Sequence, residues 1–393
     1  MITATRAAVH PFPARMAPEL AAAKVSSLAP NAVVLDPMMG SGTFPLAAAR
    51  SGHQAFGCDT DPLAIVIANT IAASYSLDDF LSAAESVVAT AKSYKVVDIH
   101  VDPETSKFID FWFDPIARQR LSSLAAAIKE VPPPLSYPLW CAFSRLIIAK
   151  DAGASRARDV SHSRPHRVRE TSSFDPIEKY FASARSVANR VSHSRTESGD
   201  EAVPRSSPHI LRADARSLPF ARATVDAVMT SPPYLIAIDY LRGHRMSLVW
   251  MGYSISYLRS LRSGNIGSEA GMVVDAALDA IAKSSFTEEL PDRSRRIIGR
   301  YVRDMDEVMS EIARVVKPAG LVSFVMADAR MNGVEISIEE ILTRVGRRNG
   351  LFHRARVSRE LPENRRYLPP PRDAAGALDK RMKEEVILTF ERE

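Results

Sequence analysis

Between Ala32 and Asp59 the chain reads as strand, glycine turn, helix, strand and acid, and few folds accept that order. The apolar run Ala32-Val33-Val34-Leu35 is a short buried strand that stops at Asp36-Pro37. Gly40-Ser41-Gly42 opens an alanine-rich helix, Phe44 to Arg50. A second strand, Gln54 to Cys58, stops at Asp59. A helical segment, Ala17 to Leu28, precedes this unit, and Asp61-Pro62 starts another helix that runs through Ala72. Together they form the first half of a doubly wound nucleotide-binding fold.

The pattern resumes with the strand His209 to Ala213 before Asp214, the turn Leu218-Pro219-Phe220, and the strand Val225 to Thr230. A third block holds the helix Tyr301 to Val316, the turn Lys317-Pro318-Ala319-Gly320 and the strand Leu321 to Met326. A helix (Ile336 to Arg348), a strand near Leu351 to Val357 and a closing strand, Glu385 to Phe390, follow. Seven strands result, an α/β sheet that is mostly parallel, with the last two expected as antiparallel neighbours. Residues 1–74 and 207–393 supply the two halves of this domain. Residues 75–206 are an inserted region, helical and aromatic at first and then basic, and a second helical insertion spans about 235–296.

Of the 393 residues 46% are apolar and 25% charged, which is ordinary globular usage, and the formal charge of +5 permits an anionic partner. Cys58 and Cys141 have no framework or metal-like spacing, so neither a disulfide scaffold nor a metal site is read. No signal peptide opens the chain, and no apolar stretch nears the roughly 20 residues of a membrane helix, so a soluble cytoplasmic protein is expected.

The glycine turn allows close backbone approach to a ligand, and the helix after it presents unpaired amides. There is no third glycine in dinucleotide spacing and no lysine after the glycines, which sets aside pyrophosphate and P-loop sites. Asp59 at a strand end can accept from both ribose hydroxyls, and Asp214 can accept from an adenine amino group between Leu218 and Phe220. Helix capping is the competing reading for each acid, and for Asp61, followed by proline, the two weigh equally.

At this point Asp36-Pro37-Met38-Met39-Gly40-Ser41-Gly42-Thr43 resembles the cofactor motif of amino-group DNA methyltransferases and of RNA guanine-N2 methyltransferases. His10-Pro11-Phe12-Pro13-Ala14-Arg15-Met16 resembles the N-terminal motif that closes over the methionine end of the cofactor, and Gly57 to Pro62 resembles the ribose motif. The likeness covers the sheet-forming blocks, somewhat over half the chain. It implies a class I methyltransferase (Rossmann-like) fold and S-adenosylmethionine as cofactor. The binding residues it implies are Phe12, Arg15, Asp36, Pro37, Gly40, Ser41, Gly42, Thr43, Asp59, Asp61 and Asp214.

Ser231-Pro232-Pro233-Tyr234 sits at the C-terminal end of the fourth strand, where open α/β sheets bind their ligands. Two successive prolines fix the backbone and carry no amide protons, which leaves carbonyls to face a ligand. An exocyclic amino group of a base is a poor nucleophile. The Ser231 hydroxyl and the Pro232 carbonyl can accept its two N–H bonds, and Tyr234 offers a ring for stacking. A paired base must be flipped to reach such a site. In the family this serine variant goes most often with cytosine N4, and aspartate there with adenine N6. Carbon-5 chemistry is disfavoured because neither cysteine follows a proline. The expected partner is DNA, in restriction–modification or another DNA methylation role, with an RNA guanine-N2 enzyme as the alternative.

Three basic segments are candidates for nucleic acid. Gly153 to Arg169 contains Arg164 and Arg167, and is equally a solvated linker. Arg242, His244 and Arg245 follow the Ser-Pro-Pro-Tyr segment, where a helix packing Leu241 and Trp250 into the core is compatible with contact. Arg365 and Arg366 precede a proline run.

Overall fold

A computed structural model describes residues 8–11, 16–95, 102–149, 153–158, 160, 165–196, 206–235, 240–267, 275–286, 289–360 and 384–393. The first block forms α1 (Pro18–Ser26), β1 (Val33–Asp36), α2 (Thr43–Arg50), β2 (Gln54–Asp59) and α3 (Pro62–Ala72). The insertion supplies α4 (Leu77–Ser93), α5 (Pro103–Trp112), α6 (Pro115–Lys129), α7 (Ser136–Ile147), the short strands β3 (Ala157–Arg158) and β4 (His166–Arg167), and α8 (Pro176–Thr196). Then come β5 (His209–Arg212), β6 (Val225–Thr230), α9 (Tyr240–Leu248), a 3-10 turn (Val249–Met251), α10 (Ile255–Ser263) and α11 (Ala276–Ser284). The chain ends with α12 (Asp292–Val315), β7 (Val316–Met326), β8 (Ala329–Met331), β9 (Val334–Ile336), α13 (Ile338–Arg348), β10 (Leu351–Glu360) and β11 (Glu384–Arg392).

Seven strands form one sheet in the order β10-β11-β7-β6-β1-β2-β5. All neighbours from β7 to β5 are parallel, and β11 runs antiparallel to both β7 and β10. This is the class I methyltransferase sheet that the sequence implied, with its antiparallel pair at the edge. The order reverses at β1, which has β2 on one side and β6 on the other, so the ligand crevice opens beyond Asp36, Asp59 and Thr230.

Alternate strand residues serve the two faces. Val34, Ala55 and Met229 pack under α1 and α2, whereas Leu35, Cys58 and Val228 join the core of α11, α12 and α13. The third core contains the insertion. Helix α3 carries no charged residue and is apolar on nearly all sides, so its outer face needs cover. Helices α4 to α8 supply it, and Leu63 and Ile67 join Phe80, Leu121, Phe143 and Tyr180 in one cluster that also takes in Leu241 and Trp250. The insertion therefore shares its core with α3 and α9.

Local structure differs from or adds to the expected pattern in several places: α12 starts at Asp292, ahead of the expected Tyr301, and Ile336 ends β9 instead of starting α13. Lys317 to Gly320 lie within β7, because Val225 pairs with Val316 and Ala227 with Leu321, which loops the intervening residues out against Asp226. The Lys317 ammonium pairs with Asp226 at 2.6 Å and pins that loop. Asn332-Gly333, both at positive φ, turn the β8–β9 hairpin, an Asn-Gly signal present in the sequence. The basic run after Gly153 contributes a two-stranded hairpin, β3 with β4. No helix among the described residues is long and apolar enough to cross a membrane.

Candidate cofactor and base site

The turn after β1 folds back onto β2. The Met39 amide donates to the Cys58 carbonyl at 2.9 Å, and the Gly42 amide to the Met39 carbonyl at 2.9 Å. A Cβ at Gly57 would meet the Met39 sulfur at 2.4 Å and Pro45 Cγ at 3.0 Å, so any larger residue would displace the Met39 side chain from the turn. Gly42 has φ +81, which L side chains rarely adopt, and it precedes Thr43 with no side chain capping the first amides of α2. The motif thus presents an uncapped helix end beside a strand-end acid.

That acid, Asp59, is half-buried and tied to the turn: Gly40 N donates to Oδ2 at 2.8 Å and Asp61 N to Oδ1 at 2.9 Å. Burial, then the charge of Asp61, push its pKa up to about 6, against the pull of these two amides and of His244. Each oxygen retains a lone pair for a ligand hydroxyl. Asp36, 2% exposed, accepts from Met38 N at 3.2 Å and from the Thr230 hydroxyl at 2.7 Å. Burial raises it to about 7 despite those bonds.

Asp61 serves as the cap of α3, accepting from Leu63 N at 2.9 Å, and its other oxygen accepts a hydrogen bond from His244 Nδ1 at 2.5 Å. Asp214 differs from expectation. Arg216 holds both its oxygens, with Nε at 3.0 Å from Oδ1 and Nη2 at 2.7 Å from Oδ2. Burial works to raise the Asp214 pKa, and the Arg216 bonds and charge outweigh it and leave it lowered. A carboxylate clasped in this way is less available to an adenine amino group than one facing open space.

Ser231-Pro232-Pro233-Tyr234 follows Thr230 outside any regular element, Pro232 buried and the others half-buried. The Tyr234 hydroxyl donates to Glu385 Oε1 at 3.4 Å. Glu385, on β11 and 8% exposed, is itself gripped by Arg359 (2.8 and 2.6 Å), which also reaches Glu19 on α1 at 3.0 Å. Sequence reasoning missed Glu385, because its partners, Tyr234 and Arg359, lie far from it in sequence on two separate segments.

Phe12 and Arg15, expected at the cofactor, lie outside the described residues. The stretch before them is fastened to the insertion. His10 Nε2 bonds Ser144 Oγ at 2.9 Å, Arg145 donates to the Val9 carbonyl at 2.8 Å, and Arg190 to the Ala8 carbonyl at 2.8 Å. Burial, then the charges of His244 and Arg145, hold His10 well below the usual imidazole range, so it is neutral.

The basic candidates divide. Arg164, Arg365 and Arg366 lie outside the described residues. Arg167 pairs with Glu170 and stacks over Phe111, 5.3 Å from the ring centre. Its neighbours Arg156 and Arg169 donate to backbone carbonyls of Glu170, Asp110 and Ala157, so they brace the hairpin. Arg242 and Arg245 are half-buried on α9, with Arg245 over the Phe108 ring at 5.1 Å. His244, expected near phosphates, is 3% exposed against Asp61 and has no route to a phosphate.

No family model matches the chain. A type II methyltransferase, M.MvaI, of Kocuria varians is 22% identical over 415 residues, covering 96% of this chain and 89% of its own. Among solved structures, a SAM-dependent methyltransferase from Methanosarcina mazei aligns with 96% of this chain and 99% of its own at 9% identity and TM-score 0.35. A Thermus thermophilus protein described as a DNA modification methylase aligns with 46% of this chain and 50% of its own, at 15% identity and TM-score 0.23. At these scores the fold assignment rests on the strand order.

Proposed function

We propose that this chain is an S-adenosylmethionine-dependent methyltransferase that modifies an exocyclic amino group of a flipped base in DNA, cytosine N4 before adenine N6. One observation carries the reading: Thr230 at the head of Ser-Pro-Pro-Tyr bonds Asp36 at the head of the glycine turn, at 2.7 Å. The two motifs, almost two hundred residues apart, meet at one point where the strand order reverses. The relative named a type II methyltransferase, which aligns with nearly the whole chain, supports the same reading.

The residues fit the cofactor. Asp59 has lone pairs for a ribose diol, the uncapped start of α2 lies beside it, and Leu218 with Phe220 offers apolar wall nearby. S-adenosylmethionine, when bound, supplies a methyl group on a sulfonium that departs as a neutral thioether. The chain's own residues do the rest by placement and electrostatics. The Ser231 hydroxyl and the Pro232 carbonyl accept hydrogen bonds from the amino group and turn the nitrogen lone pair out of conjugation, and the surplus N–H proton is released to solvent once the methyl is on the nitrogen. The Tyr234 ring, anchored through Glu385, stacks on the base. Arg242, on the helix next after Tyr234, is assigned to the phosphates of the same strand.

Incubation with labelled S-adenosylmethionine and either unmethylated DNA or tRNA, followed by nucleoside mass spectrometry, tests this. N4-methylcytosine in DNA is the expected product. N6-methyladenine would reassign the base, resting as that choice does on Ser231. N2-methylguanosine in tRNA alone would overturn the DNA reading.

A further inference from the structure

His244 lies on α9, the first helix after the Ser-Pro-Pro-Tyr segment, yet its side chain reaches back to the cofactor side of the sheet. Its Nδ1 donates to Asp61 Oδ2 at 2.5 Å in a buried contact spanning 183 residues of sequence. Asp61 in turn fixes Asp59, through its own amide at 2.9 Å, and starts α3 through Leu63 N. Asp59 and Asp61 are like charges two residues apart. They act against each other, while His244 acts on Asp59 in the opposite sense to Asp61.

We propose, resting on the methyltransferase reading, that His244 is a positioning residue for the cofactor. By donating to Asp61 it holds the two-acid turn in place and offsets the second negative charge, so that Asp59 meets the ribose hydroxyls as an ion. The setting supports this. The elements packed on α9 bring arginines but no further acid to His244. Helix α3 has neither, α7 brings Arg145, α10 brings Arg259 and Arg262, and the N-terminal stretch brings neutral His10. On α9 itself Arg242 and Arg245 flank it. Gly243 sets the fit, because a Cβ there would meet the Val160 carbonyl oxygen at 2.9 Å, so the insertion presses α9 from its other side. The same helix thus joins the segment that carries Tyr234 to the turn that carries Asp59.

The test is cofactor binding by calorimetry across pH 5 to 9, with S-adenosylmethionine itself as the probe. Wild type should bind with an acid limb near the Asp59 value of about 6. His244→Asn retains a donor to Asp61 and removes the imidazole. Its limb should move up by about one pH unit, giving up to about tenfold weaker binding near pH 6 and little change at pH 8.5. Adding Asp61→Asn removes the unbalanced charge, keeps the helix cap and should return the limb to the wild-type position. Asp61→Asn alone should place the limb at or below that position, an outcome that does not depend on the His244 variant folding. Binding weakened equally at every pH, a limb that does not move, no return in the double variant, or an upward shift in Asp61→Asn would each overturn the proposal. Failure of the wild type to bind S-adenosylmethionine at any pH would instead overturn the methyltransferase reading, and this proposal with it.

Discussion

The strand ends that form the site and the helices inserted between them bury polar groups to different purpose. At the site, Asp36 and Asp59 sit among other carboxylates and are pushed up to about 7 and about 6. In the insertion, Asp114 is as deeply buried as Asp36, yet it accepts from Ile116 N, Ala117 N and Ser172 N at 3.0, 2.9 and 2.8 Å. Arg145, Arg156 and Arg190 likewise hold backbone carbonyls. Polar groups that complete one another build architecture, whereas carboxylates left in mutual conflict mark the candidate site.

The contrast can be broken most severely at the motif itself. Pro233→Ala or Tyr234→Ala should abolish methyl transfer while the cofactor still binds, since misplacement by an ångström already costs about 100-fold. Full transfer by Tyr234→Ala, measured with labelled cofactor, would remove the stacking role. Asp59→Ala comes next. A hydrogen bond to a charged group contributes about 1.5–3 kcal/mol, so losing two ribose contacts should weaken cofactor binding by about 100-fold or more. Calorimetry showing unchanged affinity would move the ribose elsewhere.

Asp36 tests the same contrast through stability. Its carboxyl titrates near 7 when folded and near 3.8 when unfolded, so the raised value favours folding fully below about pH 4, and that favour is lost as pH rises through 7. At pH 8 the folded chain therefore holds an ionised carboxylate that burial disfavours. Asp36→Asn keeps an acceptor for Thr230 and carries no charge. It should be more stable than wild type by about 2–4 kcal/mol at pH 8 and should gain nothing at pH 4. Equal gains at both pH values in urea unfolding would mean that the charge is not what the site tolerates.

The same division explains what the sequence disclosed. The glycine turn, the strand ends and Asp61-Pro62 are local signals, fixed by neighbours within a few residues, and each element they implied is present. Asp102 and Asp114, each before a proline, cap α5 and α6 in the same local way as Asp61 caps α3, although the sequence reading singles out neither. What escaped were pairings between distant positions. Arg145 with Val9, His244 with Asp61 and Glu385 with Tyr234 leave no periodicity to read, because each side chain alone is an ordinary polar residue. The neighbours Arg242 and Arg245 point a sequence reading of His244 toward phosphates, yet they are half-buried on a helix where His244 is buried against Asp61.

The smallest effect tests whether the insertion is fitted to the site helix. Gly243→Ala should gain about 1 kcal/mol from helix propensity if α9 stood in open space. Here its Cβ would come within 2.9 Å of the Val160 carbonyl oxygen, a backbone atom that yields only if the segment moves. Overpacking of this kind costs about 1–3 kcal/mol, so a net loss of about 1 kcal/mol is expected, seen as a lower urea midpoint. Because α9 also carries His244, the variant should weaken cofactor binding slightly as well as stability. A stabilised Gly243→Ala would mean that Val160 does not press on α9. The insertion would then cover α3 without constraining the helix that joins the two motifs.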